Sequence, residues 1–137
     1  MSTIDYTQLL QAAEEARTMA YAPYSHYAVG ACLVTADGRT YKGCNVENAS
    51  SGACLCAERT AVAKAVSEGV HAFAAIAIVG AEAGQAGDFC PPCGICRQVL
   101  AEFDDGTMTV VMRRGAEVVA MPLADLLPLA FRLGDTV

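Results

Sequence analysis

The sequence predicts an α/β fold, a three-layer α-β-α arrangement around a single mixed five-stranded sheet, and three observations carry that expectation. Helix-period stretches alternate with short apolar runs in the order α-β-β-α-β-α-β-β-α. The run Phe73–Val79 is apolar throughout and bounded by Gly80, the pattern of a strand buried on both faces. An Asp37-Gly38 pair between two short runs marks a hairpin turn, so the sheet includes antiparallel neighbours. No repeat, linker or low-complexity segment interrupts the 137 residues, and residues 1–137 read as one domain. A chain of this size buries roughly two-thirds of its unfolded surface.

Residues 5–20 place apolar or small side chains at Tyr6, Leu9, Leu10, Ala13, Ala16 and Met19, with Glu14, Glu15 and Arg17 elsewhere. That is an amphipathic helix with Asp5 as its N-cap. Pro23 and the following Tyr-Ser-His-Tyr end it in a loop. Ala28–Thr35 and Thr40–Asn45 are the arms of the hairpin. The polar stretch 45–52 is a loop that leads to Cys56. A helix runs from Cys56 to Glu68 and stops at Gly69. After the buried strand and a loop over 81–89, Pro91-Pro92 introduces a second helix, from Cys93 to about Phe103. Thr107–Met112 and Glu117–Ala120 are further strands, separated by Arg113-Arg114-Gly115. Pro122–Phe131 opens as a short helix.

Composition narrows the partners. The formal net charge is −6, with no basic run and no aromatic cluster between cations. Polymeric nucleic acid, which demands a positive footprint, is disfavoured, and a small uncharged molecule fits better. Hydrophobic residues make up 54% of the chain and mean hydropathy is +0.34, so apolar surface remains for an oligomer to bury. No apolar run approaches the roughly 18–20 residues that cross a bilayer. Met1–Asp5 has neither the charged nor the apolar region of a signal peptide. A cytoplasmic location without membrane attachment is expected. Seven cysteines, an odd number, are then read as reduced thiols.

Two stretches carry chemistry, Cys56-Ala57-Glu58 and Pro91-Pro92-Cys93-Gly94-Ile95-Cys96. Cys93 and Cys96 stand three apart at a helix start, so both sulfurs can reach one metal ion. Cys56 begins another helix. Helix N-termini carry partial positive charge that steadies thiolates. Three thiol ligands with an open fourth position describe a catalytic zinc (Zn2+) site. Glu58, a carboxylate beside the metal that is not a ligand, can take a proton from water and pass it to a substrate. Arg59 is the cation that offsets the excess thiolate charge. Structural zinc is the bland alternative, with Cys54 or Cys90 closing the site, but it usually pairs two Cys-x-x-Cys knuckles. A redox pair is another, expected in a thioredoxin-like setting. Cys32, Cys44, Cys54 and Cys90 read as small packing residues.

From about Ala12 to Phe131 the chain resembles the small homotetrameric zinc-dependent cytidine deaminases. The segments that carry the resemblance are Pro23–Ala31, Gly43–Ala49, Cys56–Ala61, Pro92–Val99 and Leu126–Phe131, in the family's order. It implies a cytidine deaminase-like fold and hydrolysis of cytidine and 2′-deoxycytidine to the uridines with release of ammonia. Cys56, Cys93 and Cys96 would hold the zinc and Glu58 would shuttle protons. Asn45 and Glu47 would hydrogen-bond the ribose, Tyr27 would pack on the pyrimidine where the family usually has Phe, and the backbone of Ala57 would meet the base carbonyl. Phe131 would reach a neighbouring subunit of a homotetramer.

From the residues alone, Asn45 and Glu47 could equally cap a turn, and Tyr27 and Phe131 could be core aromatics. Two positions depart from the family pattern. Leu55 replaces a residue that is often polar, and Ser51 stands where many members carry Tyr. A smaller residue at 51 is expected to widen the pocket and admit cytidines modified at N4 or on the sugar. The rival functions are a deaminase of a cytosine-bearing antibiotic such as blasticidin, a non-catalytic zinc-structured module, and editing of a polynucleotide.

Overall fold

The computed structural model describes residues 3–134, so the first two residues of the Met1–Asp5 stretch lie outside it. Helix α1 spans Tyr6–Arg17, and the Asp5 carboxylate caps it by accepting from the backbone N–H groups of Thr7 and Gln8. Strands β1 (Tyr27–Thr35) and β2 (Thr40–Cys44) form the expected hairpin. Helix α2 (Ala57–Ser67), strand β3 (Phe73–Glu82), helix α3 (Gly94–Ala101), strands β4 (Thr109–Arg114) and β5 (Glu117–Pro122), and helix α4 (Leu123–Leu126) complete the order.

The five strands lie in the order β2-β1-β3-β4-β5. Strand β1 is antiparallel to both β2 and β3, β3 runs parallel to β4, and β5 returns antiparallel to β4. The sheet is therefore mixed. Alternate residues of β3 divide between two cores, as the pleat requires. Ile76 and Ile78 pack with Ala61, Ala65 and Leu100 beneath α2 and α3. Ala75, Ala77 and Val79 pack with Leu9, Leu10 and Ala13 of α1 on the opposite face. This explains why the β3 segment lacks alternation: both of its faces are buried.

Helix α2 sits close on β2. A Cβ on Gly43 would lie 2.4 Å from the Ala57 carbonyl oxygen and 2.6 Å from the Ala61 nitrogen, so only glycine admits this approach. Thr60 adds a hydroxyl donated to the Cys44 carbonyl at 3.0 Å. The first turn of α2, which carries Glu58, is thereby seated on the sheet.

Several boundaries differ from the sequence expectation for identifiable reasons. Strand β3 runs past Gly80 to Glu82 because Gly80, Ala81 and Glu82 find partners in Val29, Ala28 and Tyr27 of β1. Strand β4 begins at Thr109, since the Asp104 carboxylate binds the N–H groups of Gly106 and Met108 and holds them in a turn. Arg113 and Arg114 lie in that strand, not in the turn after it. The C-terminal helix is limited to Leu123–Leu126, with Pro122 as its cap. Pro128 disfavours helical geometry at the residue before it, and Leu127 has φ −145° and ψ 70°.

Arg17 is the largest departure. It does not lie on a solvent face. Its side chain is 6% exposed and donates to the backbone carbonyls of Ala28, Gln85, Ala81 and Glu82. A buried guanidinium is tolerable only when its donors are met in this way.

Candidate metal centre and substrate cleft

The starts of α2 and α3 converge. Cys56 and Cys93 are their N-cap residues, and Cys96 lies in the first turn of α3, fully buried. The three sulfurs lie within 4.8 Å of one another, and Cys56 and Cys93 are 3.7 Å apart. Each sulfur thus stands where helix amide groups stabilise negative charge. Among the described residues neither Cys54 nor Cys90 joins this cluster. Cys54 is turned toward Asn48, whose N–H it accepts at 3.3 Å. Three soft ligands with no fourth protein ligand fit a zinc ion that keeps one position for a small molecule. That observation speaks against a closed structural site.

Charge around the trio is asymmetric. Interaction with Cys96 and then with Arg59 holds the Cys56 thiol down to about 5, and the partnership with Cys56, aided by burial, pushes Cys96 up. The Arg59 guanidinium lies 3.6 Å from the Cys56 sulfur and donates to the Cys54 carbonyl at 3.3 Å. Its buried Nε has no partner. Glu58 is 3% exposed, and burial pushes its carboxyl up to about 7. Near neutral pH such a group can both accept a proton and return it.

A cleft of about 290 Å³ opens over Cys56 and Cys93 of the trio. Asn45, Glu47, Ala57 and Glu58 line it with Cys56 and Cys93. Asn45 also stitches the start of β1, its amide oxygen accepting from Val29 N–H at 2.9 Å and its nitrogen donating to the Tyr27 carbonyl at 2.8 Å. Glu47 accepts from the N–H groups of Tyr24 and Ser25 at 2.9 and 3.1 Å and from the Ser25 hydroxyl, which lowers its pKa. Turn-holding and cleft-lining therefore coexist in both side chains.

The remaining expected residues fall elsewhere. Tyr27 is 38% exposed and approaches Cys90 across Gly80, where an added Cβ would meet the Cys90 sulfur at 2.9 Å and the Tyr27 ring at 3.0 Å. Phe131 is 67% exposed, with its carbonyl accepting from the Gln98 amide at 2.9 Å. Neither lines the cleft of the single chain. Val29, Cys54, Leu55, Cys90 and Pro91 do line it. Cys54 and Cys90 both wall the cleft, Cys90 while also packing against the core beneath α2 and α3, and only their place beside the metal motifs hinted at the cleft role. Cys32, by contrast, is fully buried, as a packing residue is.

Residues 3–112 match the family model described as the cytidine and deoxycytidylate deaminase zinc-binding region. The chain belongs to that family. Relatives extend the likeness over nearly the full length. The cytidine deaminase of Sporosarcina psychrophila is 44% identical, covering 96% of this chain and 95% of its own. The crystal structure of cytidine deaminase from Burkholderia pseudomallei matches with a TM-score of 0.84 and 47% identity, covering 93% of this chain and 100% of that one. A blasticidin-S deaminase of Bacillus cereus is 27% identical over 90% of each chain. The deaminase fold expected from the sequence, one mixed five-stranded sheet between helix layers, is thus the fold of the family's solved members.

Proposed function

We propose that this chain is a zinc-dependent cytidine deaminase that converts cytidine and 2′-deoxycytidine to uridine and 2′-deoxyuridine and releases ammonia. One observation carries the reading: Cys56 and Cys93 of the thiol cluster and the buried Glu58 share a cleft with Asn45 and Glu47, with Cys96 completing the cluster beneath it. The first group suits hydrolysis at a metal, and the second suits a sugar bearing hydroxyls. Cys56, Cys93 and Cys96 hold the zinc, and Arg59 balances their charge. When bound, zinc supplies a Lewis acid that lowers the pKa of water at its open position.

Glu58 does the proton work. It takes a proton from the attacking water and delivers it to ring N3, making C4 electrophilic. As C4 accepts the water oxygen, Glu58 relays a proton to the amino group, and the C–N bond breaks to give ammonia. Water and cytidine are consumed; uridine and ammonia are formed. Asn45 and Glu47 bind the ribose, Ala57 N–H faces the base carbonyl, and Tyr27 packs near the ring.

The same reading takes residues 1–137 as one catalytic domain of a cytoplasmic homotetramer. Phe131 (67% exposed), Leu129 (103%), Leu133 (74%) and Met19 (76%) are apolar surface that association would cover. Phe131 then reaches the cleft of a neighbouring subunit. No helix among the described residues is long and apolar enough to cross a membrane.

The experiment is loss of cytidine absorbance with ammonia release, using cytidine, cytosine, blasticidin and single-stranded DNA in parallel. Turnover of the free nucleoside alone is expected. Preference for blasticidin would install the antibiotic reading, turnover of DNA the editing one, and no turnover by zinc-loaded protein the non-catalytic module.

Tolerance of modified cytidines is a narrower proposal and rests on Ser51. This residue lies exposed in a short 3-10 turn, Ser51–Ala53, that leads toward Cys54 and Leu55 of the cleft wall. Ser51→Tyr is expected to lower kcat/KM on an N4-alkyl cytidine more than on cytidine. An unchanged ratio removes the proposal.

A further inference from the structure

The segment between β3 and α3 delivers Cys93 and Cys96, yet its anchorage lies in α1 and β4. Glu14 and Arg17 of α1 and Arg113 of β4 form one charged cluster whose side chains are 27%, 6% and 30% exposed. Glu14 pairs with Arg17 through Oε1 and with Arg113 through Oε2, the latter at 3.4 Å. The same Oε2 accepts from Gly87 N–H at 2.9 Å. Arg113 donates to the Gly87 carbonyl from Nε at 3.0 Å and again from its terminal nitrogen. Arg17 holds the carbonyls of Ala81, Glu82 and Gln85. Both polar groups of the Gly87 backbone are thus gripped by charged side chains.

A side chain at 87 would have to displace the Glu14 carboxylate. A Cβ on Gly87 would lie 2.3 Å from the Glu14 oxygen, 3.0 Å from Val79 Cβ and 3.1 Å from Arg17 Cδ. Immediately beyond Gly87, Asp88 exchanges both backbone hydrogen bonds with Gly80, at 2.9 and 3.2 Å. Its carboxylate accepts from Gly115 N–H at 2.8 Å, and Arg114 lies 4.3 Å over the Phe89 ring. Cys90 then rests on Gly80, Pro91 walls the cleft, and Cys93 caps α3. The path from Glu14 to a thiol ligand is short and fixed at successive residues.

We propose that Glu14 is a positioning residue for the metal centre: through Gly87 it sets where the loop delivers Cys90 and Cys93, and so how firmly the trio holds zinc. A carboxylate that accepts one amide and balances two guanidinium groups is strongly held, because each bond is charge-assisted. Removing it leaves Arg17 and Arg113 facing each other without their shared counter-charge and leaves the Gly87 amide unmet. The loop then loses its register against Gly80. This inference rests on the zinc reading above.

The test is the rate of zinc transfer from the full-length, zinc-loaded protein to a chromogenic chelator. Wild type, Glu14→Ala, Glu14→Gln and Leu9→Ala are compared. Leu9 lies on the buried face of the same helix, so its truncation weakens the packing of α1 and leaves the Glu14 contacts in place. Supporting groups around metal ligands commonly change affinity by about 10- to 100-fold. Glu14→Ala is therefore expected to release zinc about 10-fold faster, Glu14→Gln less so, and Leu9→Ala at close to the wild-type rate after matching for thermal stability. If Glu14→Ala does not fold, Glu14→Gln carries the comparison, since it keeps an acceptor for Gly87 but not the charge. Glu14 variants that release zinc at the wild-type rate, or Leu9→Ala releasing it as fast as they do, would overturn the inference. A wild-type protein that binds no zinc fails at the earlier step and sinks the zinc reading itself.

Discussion

Glu58→Gln is expected to keep zinc at the wild-type ratio and to lose about 10²- to 10⁴-fold in kcat on cytidine, the usual contribution of a positioned acid–base group. The amide has nearly the volume of the carboxyl, so the packing around a residue 3% exposed is preserved. It cannot accept and return a proton. The carboxyl of Glu58 is pushed up to about 7 by burial, which suits both halves of the relay near neutral pH. Steady-state turnover and a zinc assay on the same sample make the check. Near-wild-type turnover would remove Glu58 from the chemistry, and loss of zinc would recast it as a structural support.

Cys93→Ala is expected to abolish both zinc binding and deamination while leaving the fold intact. Of the three thiols Cys93 is the exposed one and Cys96 the fully buried one. Truncating Cys93 therefore opens no cavity, and helix α3 retains its packing through Leu100 and Ala101. Two thiolates remain, at positions 56 and 96, and the loss in affinity is expected to exceed the about 10- to 100-fold that supporting partners cost. Circular dichroism, zinc content and cytidine turnover separate the outcomes. A variant that loses zinc and unfolds would mark the metal as a folding ligand, the behaviour of structural zinc.

These two expectations draw on motifs that are contiguous in the chain, and that is why they were readable. Cys56-Ala57-Glu58 places a ligand and a carboxylate on adjoining residues at one helix start, and Cys93-x-x-Cys96 puts two sulfurs one turn apart at another. Asp5 as a cap, Asp37-Gly38 as a turn and Phe73–Val79 as a buried strand are equally local signals, and each was found in place. Asn45 and Glu47 were legible as either turn residues or cleft residues. The sequence offered no way to choose, because one side chain can serve both through different lone pairs and protons.

Helical periodicity sets Arg17 off the apolar stripe of α1, and charge at such a position is usually exposed. Its burial depends on the carbonyls of Ala81, Glu82 and Gln85, more than 60 positions away in the chain. Cys90 and Cys54 likewise became walls of the cleft only once β3 brought Gly80 beneath Cys90 and the loop after Val46 turned Cys54 toward Asn48.

The sequence by itself therefore determined the fold class and singled out the candidate ligand trio and the candidate acid–base group, because periodicity, caps and short motifs act within a few residues of themselves. Only the tertiary structure decided which thiols stay out of the metal cluster, which expected residues line the cleft, and that Glu14, Arg17 and Arg113 share one partly buried cluster. Those are matters of groups meeting across distant segments, where unpaired charge is costly to bury and a partner must be supplied from elsewhere in the fold.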